Sequence, residues 1–437
     1  MQRSTLFLIG IAGSIASAVA ACSAGGTGNL GSGGSDTTAT TAVTNSASSG
    51  SAGDTITTVG AGGAGGSGSA CNTRHDEDND GDGFSKDQGD CNDCDPNVNP
   101  DAVDTPPTVA PGGGMVDGAD NNCDGKKLPF VTCDDNLALE DTTPKSAAKA
   151  IDLCQETMPG KSWGLIDAKY VNADGSASRQ PGPQVGLLAQ FGPNVTPRLG
   201  KTMLGLSSGH MRAEGQPDFC VELSDNKTPS QDCVTANQGP APKGFPQRIE
   251  PCGLQPEIHD DIALEVKLRA PSNATGYKFN FRFYSFEFAE WVCGPGNDQF
   301  VALVSPPPKD AQNGNIVFDS SKHAISVNSA FFDTCDPTTI DNYALKGCMK
   351  CVTPPPGIPY CSKSYTDLIG TGMYGGALDG GATSWLETTA PINPRQEFTI
   401  RFAIWDTGDG NIDSHVLIDS FKWIATPGVQ VGTVPPS

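Results

Sequence analysis

Apolar and polar residues alternate with a period of two in several runs of the C-terminal half of the chain. Ile262, Leu264, Val266 and Leu268 face one way and Glu265, Lys267 and Arg269 the other, the pattern of a strand with one wet face. Tyr277, Phe279, Phe281 and Phe283 repeat it. The apolar phase then slips by one residue to Phe286 and Phe288, a change that a β-bulge near Tyr284 and Ser285 would accommodate. Further strands are predicted over 300–304, 316–318, 398–404 and 416–423. One helix is predicted near the start of this region, where Asp141-Thr142-Thr143-Pro144 offers caps and a first-turn proline. Ala147, Ala148, Ile151 and Cys154 follow at helical spacing. Many short strands joined by Pro- and Gly-rich loops predict a mainly β fold, a β-sandwich or jelly roll.

Composition supports that reading, since 53 Gly, 34 Pro and only 18% charged residues disfavour long helices and coiled coils. With 28 Lys+Arg against 50 Asp+Glu the formal net charge is −22, which argues against nucleic acid and anionic lipid surfaces as partners. Fifteen cysteines exceed what a reducing cytosol holds without metals.

The N-terminus names the compartment. Arg3 precedes an apolar stretch from Leu6 to Ala21, 16 residues that are too short and too rich in small residues for a spanning helix. It ends in Val19-Ala20-Ala21-Cys22, which resembles a bacterial lipoprotein signal cut before a lipidated Cys22; an ordinary secretory signal is the alternative. Ser23, where retention signals carry Asp, points to outer-membrane sorting. Residues 1–21 are then the signal and 22–70 the anchored tether. In Ser23–Ala70, 40 of 48 residues are Gly, Ser, Thr or Ala, so no core can form and the segment is expected to be a disordered spacer. With Cys22 lipidated, the other cysteines form an even set of disulfide candidates: Cys71, Cys91, Cys94, Cys123, Cys133, Cys154, Cys220, Cys233, Cys252, Cys293, Cys335, Cys348, Cys351 and Cys361.

Charge is concentrated in the next segment. Cys71–Gly125 holds 14 acidic residues against Arg74 and Lys86, a net of −12 in 55 residues. Residues 76–87, DEDNDGDGFSKD, fit a twelve-residue calcium-loop pattern: Asp76, Asp78 and Asp80 at positions 1, 3 and 5, Gly81 at the turn, Asp82 offering its carbonyl, and Asp87 closing. Hard oxygens favour Ca²⁺, whereas copper would want imidazole or thiolate and only His75 is at hand. With GDCNDCDPNVNP at 89–100 and VDGADNNCDG at 116–125, the segment resembles the metal-binding motif family of bacterial surface proteins that takes its name from a methanotroph's copper-binding protein. The resemblance implies a Cys91–Cys123 bridge, leaving Cys71 and Cys94 as a second pair. The Asp-rich module is placed at 71–128.

Residues 129–428 form the β domain, followed by a tail at 429–437. The blocks YKFNFRFYSFEFAEWVCGPGNDQFVALV at 277–304 and WLETTAPINPRQEFTIRFAIWDTGDGNIDSHVLIDSFKW at 385–423 resemble the choice-of-anchor L domain, with NVTPRLGKTMLGLSSG at 194–209 upstream. The resemblance implies an exported β-sandwich module without established enzymatic activity. Acidic residues in these blocks, Glu287, Glu290, Asp298, Asp406, Asp409, Asp413 and Asp419 together with Asn297, form a candidate second metal site; turn-forming residues at strand ends are the alternative.

Catalytic patterns are weak. Gly205-Leu206-Ser207-Ser208-Gly209 matches the G-x-S-x-G nucleophile elbow, and His259, His323 or His415 could nominally complete a triad. The motif, however, needs a strand–turn–helix that the following residues do not spell. Cys335, Cys348, Cys351 and Cys361 read as two disulfides, or alternatively a zinc tetrathiolate. The expectation is a non-enzymatic surface lipoprotein that binds calcium and has an adhesive or structural role. It would touch the membrane only through its lipid and carry an unidentified glycan or protein ligand. A secreted hydrolase and a copper-capture protein are the alternatives.

Overall fold

The computed structural model describes residues 74–109, 115–116, 118–127, 132–157, 162–212, 216–218, 239–250, 252–289, 291–329, 331–338, 361–374, 380–408 and 410–436. The signal, Cys22, the tether, Cys71, Cys220, Cys233, Cys348, Cys351, Glu290 and Asp409 lie outside them.

The Asp-rich segment contains a two-residue pair of strands, β1 (Thr108–Val109) and β2 (Met115–Val116), and otherwise turns. The helix α1 spans Pro144–Ala150, with Thr143 as its N-cap accepting from the Ser146 N–H and Pro144 in its first turn. Its four buried residues, Ser146, Ala147, Ala148 and Ala150, face the sheets. Then come β3 (Gly164–Val171), β4 (Val185–Leu188), β5 (Met203–Ser207), β6 (Ile258–Arg269), β7 (Gly276–Ser285), β8 (Gln299–Ser305), β9 (Ile325–Ser326), β10 (Phe332–Thr334), β11 (Gly381–Thr383), β12 (Leu386–Pro391), β13 (Glu397–Thr407), β14 (Ser414–Ile424) and β15 (Gly432–Val434).

Two antiparallel sheets result, and the chain is mainly β, as its patterning predicts. One runs β3-β6-β13-β8-β9. The other runs β10-β11-β7-β14-β5-β4, with β12 also on β7 and β15 on β12. Their facing rows make the core. Tyr277 stacks on Phe398 at 5.1 Å, Phe279 meets Phe402 edge-on at 5.1 Å, and Phe281 meets Phe300 at 5.2 Å. Second clusters cover the outer faces: Leu188, Phe191, Met203, Tyr284 and Leu417 on the larger sheet, Val171, Phe245, Ala403 and Trp405 on the smaller. On the smaller sheet's outer face Lys169, Glu265 and Arg401 form a cross-strand charge row, the wet face predicted for β6.

Two local expectations are corrected. The phase slip after Phe283 is not a bulge: β7 ends at Ser285, and Phe286 and Phe288 lie in the turn that follows. The bulge sits across from β7 on β14, between Asp419 and Lys422, where Ser420 adopts φ +63°. Residues 316–318 are buried but form no ladder; Phe318 makes one bridge to Ala324.

Four disulfides staple the described residues: Cys91–Cys123, Cys133–Cys154, Cys252–Cys293 and Cys335–Cys361. Cys94 is also disulfide-bonded. The Cys335–Cys361 bridge excludes a tetrathiolate built on those two sulfurs.

The Asp-rich segment docks on one end of the sandwich, at the β6–β7 turn. Ser272 N–H donates to the Asp101 carbonyl at 3.0 Å and Ser272 Oγ to Asn99 Oδ1 at 2.7 Å. Asn273 brackets Val103, accepting from its N–H at 2.9 Å and donating to its carbonyl at 2.8 Å. Arg395, in the β12–β13 turn, donates to the Asp82 carbonyl.

Candidate metal centre

Five carboxylates meet in the turns of residues 78–93. Asp78 accepts the Gly81 and Gly83 N–H groups at 2.8 and 2.9 Å, winding the chain into a tight loop that Gly81 and Gly83 permit with φ of +82° and +97°. Asp80, Asp82 and Asp90 each use one oxygen to accept the N–H two residues on, from Asp82 at 3.1 Å, Phe84 at 2.8 Å and Asn92 at 2.8 Å respectively. The other oxygen of each, Oδ2, is buried and has no hydrogen-bond partner. Asp82 and Asp90 are only 5% and 3% exposed.

These three residues offer oxygens within 4.8 Å of one another. Ca²⁺ binds oxygen at about 2.3–2.6 Å, so two ligands on opposite sides of one ion lie about 4.8 Å apart. Asp78, Asp80 and Asp93 form an adjoining group sharing Asp80, and Asp104, Asp120 and Asp124 form another. Asp93 is held by Asn79, which donates both its N–H and its Nδ2 at 2.8 Å. The electrostatics match the geometry. Burial and mutual repulsion raise the carboxyls of Asp80 and Asp82, and the Asp90 carboxyl is pushed up to about 6 by burial, with the charges of Asp82, Asp80 and Asp93 adding.

The predicted loop is therefore redrawn. Asp78, Asp80 and Asp82 come together, but Asp76 pairs with Arg74 at 3.4 Å and Asp87 points to His75, both exposed and apart from the cluster. The Asp82 carbonyl, expected to face an ion, is taken by Arg395, and Asp82 contributes its carboxylate instead. No helix follows to swing a position-12 residue back; residues 86–88 are a single 3-10 turn carrying Asp87 outward. Asp90 and Asp93 take that place, held by a turn that the Cys91–Cys123 bridge ties to the Asp120–Asp124 loop. The signal was present in GDCNDC, where acids flank a cysteine of the bridge implied by the resemblance. The donors are all oxygens; His75 is exposed and Cys91 is disulfide-bonded.

The second predicted group divides. Asp298, Asp406 and Asp413 gather at the end of the sandwich opposite the module, near Asp260. Glu287 lies close by, with Oε1 3.2 Å from where a Cβ on Gly296 would stand. Asp419 belongs elsewhere: in the β14 bulge it accepts the Arg198, Leu199 and Ser420 N–H groups, beside Asp134 and Asp152.

Ser207 of the G-x-S-x-G match ends β5 within an antiparallel sheet. Its Oγ lies 2.6 Å from Nδ1 of His415, its cross-strand neighbour on β14, and accepts the Gly209 N–H at 2.8 Å. Both residues are buried, and Met211 packs onto Gly205, so the pair faces protein rather than a cleft. Burial pushes the His415 imidazole down to about 3, leaving it neutral. The arrangement is a polar cross-strand pair, without the sharp strand–turn–helix exposure a nucleophile needs.

Residues 258–422 match the family model of the Choice-of-anchor L domain, from the first residue of β6 into β14. That family is not enzymatic, and the match points to a surface-anchored protein. The upstream block 194–209 lies outside the matched residues, although β5 within it pairs with β14. No curated protein matches the chain. Among the described residues, no helix is long and apolar enough to cross a membrane.

Proposed function

We propose that this chain is a calcium-stabilised surface lipoprotein with a binding, adhesive or structural role outside the cell. A lipid on Cys22 holds it to the outer membrane of a Gram-negative cell, and the Gly/Ser/Thr/Ala-rich segment up to Ala70 joins that anchor to the Asp-rich module. Ca²⁺ orders the Asp-rich module, and the sandwich presents a surface to a glycan or protein partner.

One observation carries the calcium reading: Asp80, Asp82 and Asp90 converge with one unpartnered buried oxygen each. Three clustered, partly buried carboxylates with only Arg395 nearby as a counter-charge are costly, and a hard cation satisfies all three at once. Affinity in the range of extracellular modules, about 10⁻⁴–10⁻³ M, suits a site with short Asp ligands. At a hundredfold excess over that constant, the ion stabilises the folded module by about 2.7 kcal/mol.

The experiment is thermal unfolding of the mature chain in EDTA and in a millimolar Ca²⁺ series, with Asp80→Asn/Asp90→Asn alongside. A rise in the wild-type midpoint that shrinks in the variant supports the reading. A wild-type midpoint indifferent to millimolar Ca²⁺ overturns it.

A further inference from the structure

The turn that carries the calcium ligands is also the turn that grips the sandwich. Asp82 stands in both roles: its carboxylate belongs to the cradle with Asp80 and Asp90, while its carbonyl accepts from the Arg395 guanidinium. Arg395 lies in the β12–β13 turn with φ +60°, and its own N–H donates to the Pro271 carbonyl of the β6–β7 turn at 3.2 Å. The two turns that receive the module are thus tied to each other.

A second line runs through Asn99, which is fully buried. Its side chain is hydrogen-bonded to the Asp82 carboxyl, and its Oδ1 accepts from the Ser272 hydroxyl at 2.7 Å and the Asp101 N–H at 3.0 Å. Asp101 in turn accepts the Ser272 N–H on its carbonyl at 3.0 Å and the Ser162 N–H on Oδ1 at 3.3 Å. One carboxylate of the cradle is therefore two hydrogen bonds away from the sandwich.

What the module offers the sandwich is polar: Asn97, Asn99, Asp101 and Val103 meet Ser162, Ser272 and Asn273 through amides, carbonyls and hydroxyls. Such bonds are directional, so they reward docking only while the turn that presents them keeps its shape. Keeping that shape without an ion is costly. Asp80 feels the charges of Asp82, Asp78 and Asp93, and Asp90 those of Asp82, Asp80 and Asp93. Asp82 and Asp90, 5% and 3% exposed, each keep one buried oxygen without a partner.

We propose that calcium binding and docking of the Asp-rich module are linked: the ion at Asp80, Asp82 and Asp90 fixes the face that Asn99 and the Asp82 carbonyl present to the sandwich, and its loss releases the segment from the β6–β7 and β12–β13 turns. The inference rests on the calcium reading of the cradle. A released segment adds its length to the chain between the anchor at Cys22 and the β domain, so calcium outside the cell sets how closely the sandwich is held to its anchor. Linkage makes the effect reciprocal, and calcium affinity gains from docking the factor that docking gains from calcium.

The test follows amide hydrogen exchange of the mature chain in EDTA and in saturating Ca²⁺, beside calorimetric titration of Ca²⁺. The Ser272 amide belongs to the sandwich and its acceptor to the module, so it reports docking, whereas the amides of β7 report the sandwich itself. Calcium should slow exchange at Ser272 about tenfold or more and leave β7 unchanged. Ser272→Ala/Asn273→Ala, two neutral changes on the sandwich that alter no ligand and no charge, should weaken Ca²⁺ binding about fivefold or more in a chain that is folded by circular dichroism. A wild-type chain that binds Ca²⁺ while Ser272 exchanges at one rate with and without it overturns the linkage and leaves the calcium site standing. An unchanged Ca²⁺ affinity in the folded double variant does the same. A wild-type chain that takes up no Ca²⁺ overturns site and linkage together. Should the double variant fail to fold, the wild-type exchange rates decide.

Discussion

Replacing Asp90 by Asn tests the carboxylate cradle of the Asp-rich module through the competition between protons and calcium. The Asp90 carboxyl is raised to about 6 by burial, with neighbouring carboxylates adding to the shift. Without an ion, the folded module holds that proton more tightly than the unfolded chain. Asp90's contribution to stability is therefore fully present below the ordinary Asp value near 4 and is lost as pH rises through about 6. Calcium needs the ionised form, so its binding has the opposite dependence. With a value of about 6, Asp90 is about nine-tenths ionised at pH 7 and about one-tenth at pH 5. Apparent Ca²⁺ affinity should then fall about tenfold over those two units, about 1.4 kcal/mol, from this residue alone. Asp80 and Asp82, shifted the same way, steepen the fall.

The assay is calorimetric titration of Ca²⁺ into the mature chain at pH 7, 6 and 5 and fixed ionic strength, with circular dichroism to confirm folding. Wild type should lose affinity progressively. Asp90→Asn should start weaker at pH 7 and show a shallower slope, since one competing proton is gone. A wild-type affinity that does not change between pH 7 and pH 5 would refute the assignment of these carboxylates as ligands.

Four further outcomes follow from the geometry. Arg395→Ala removes a charged donor from the Asp82 carbonyl, a bond of the kind worth about 1.5–3 kcal/mol. It should speed proteolysis of the Asp-rich segment and leave the calcium-dependent midpoint shift smaller. His415, pushed down to about 3 by burial, is neutral when folded but protonates in the unfolded chain below about 6.5. Stability should thus fall as pH drops from 6.5, by about 2 kcal/mol at pH 5, in denaturant titrations, and His415→Gln should lose that dependence. Ser207→Ala should cost about 1–3 kcal/mol by leaving His415 Nδ1 without its partner, with no change in p-nitrophenyl ester turnover. Cys91→Ser/Cys123→Ser opens a bridge across 32 residues, worth about 3–4 kcal/mol on chain-entropy grounds, and should weaken calcium binding because Asp90 and Asp93 lose their anchor.

The strands with one wet face were legible because their side chains report burial directly: Leu264 goes in, Glu265 goes out, and period two follows. β4 and β5 were not legible. Their residues are buried on both faces, so VGLL and MLGLS carry no alternation and resemble any short apolar run. The phase slip after Phe283 misled for a related reason, since Phe286 packs into the outer cluster with Tyr284 and Leu417 rather than continuing the inner row. In the candidate metal centre, Asp78, Asp80 and Asp82 were readable from spacing alone, because carboxylates at alternate positions of a tight loop converge whatever the surrounding fold. Asp90 and Asp93 depend on a chain reversal that the Cys91–Cys123 bridge fixes across 32 residues, which no local pattern encodes. Asp406 and Asp298 were picked out as acids near strand ends. What brings them together is the antiparallel pairing of β13 with β8, a non-local fact.

That pairing also sets how the two acidic centres relate. The module docks where β6 ends and β13 begins, at Ser272, Asn273 and Arg395, whereas Asp406 stands where β13 ends and β6 begins. The twelve residues of β6 separate them by roughly 35–40 Å at about 3.3 Å per residue. Groups that far apart with no shared partner act additively. An ion in the module would therefore brace one rim of the sandwich, and the buried acids at the other end would contribute through their own packing and hydrogen bonds. The −22 of the whole chain would not behave as one diffuse field opposing folding. Midpoint shifts measured for an Asp90 variant and an Asp406 variant should then sum in the double variant. A clear departure from that sum would mean that the sandwich transmits strain between its ends, and that the module and the β domain respond to calcium as one cooperative unit.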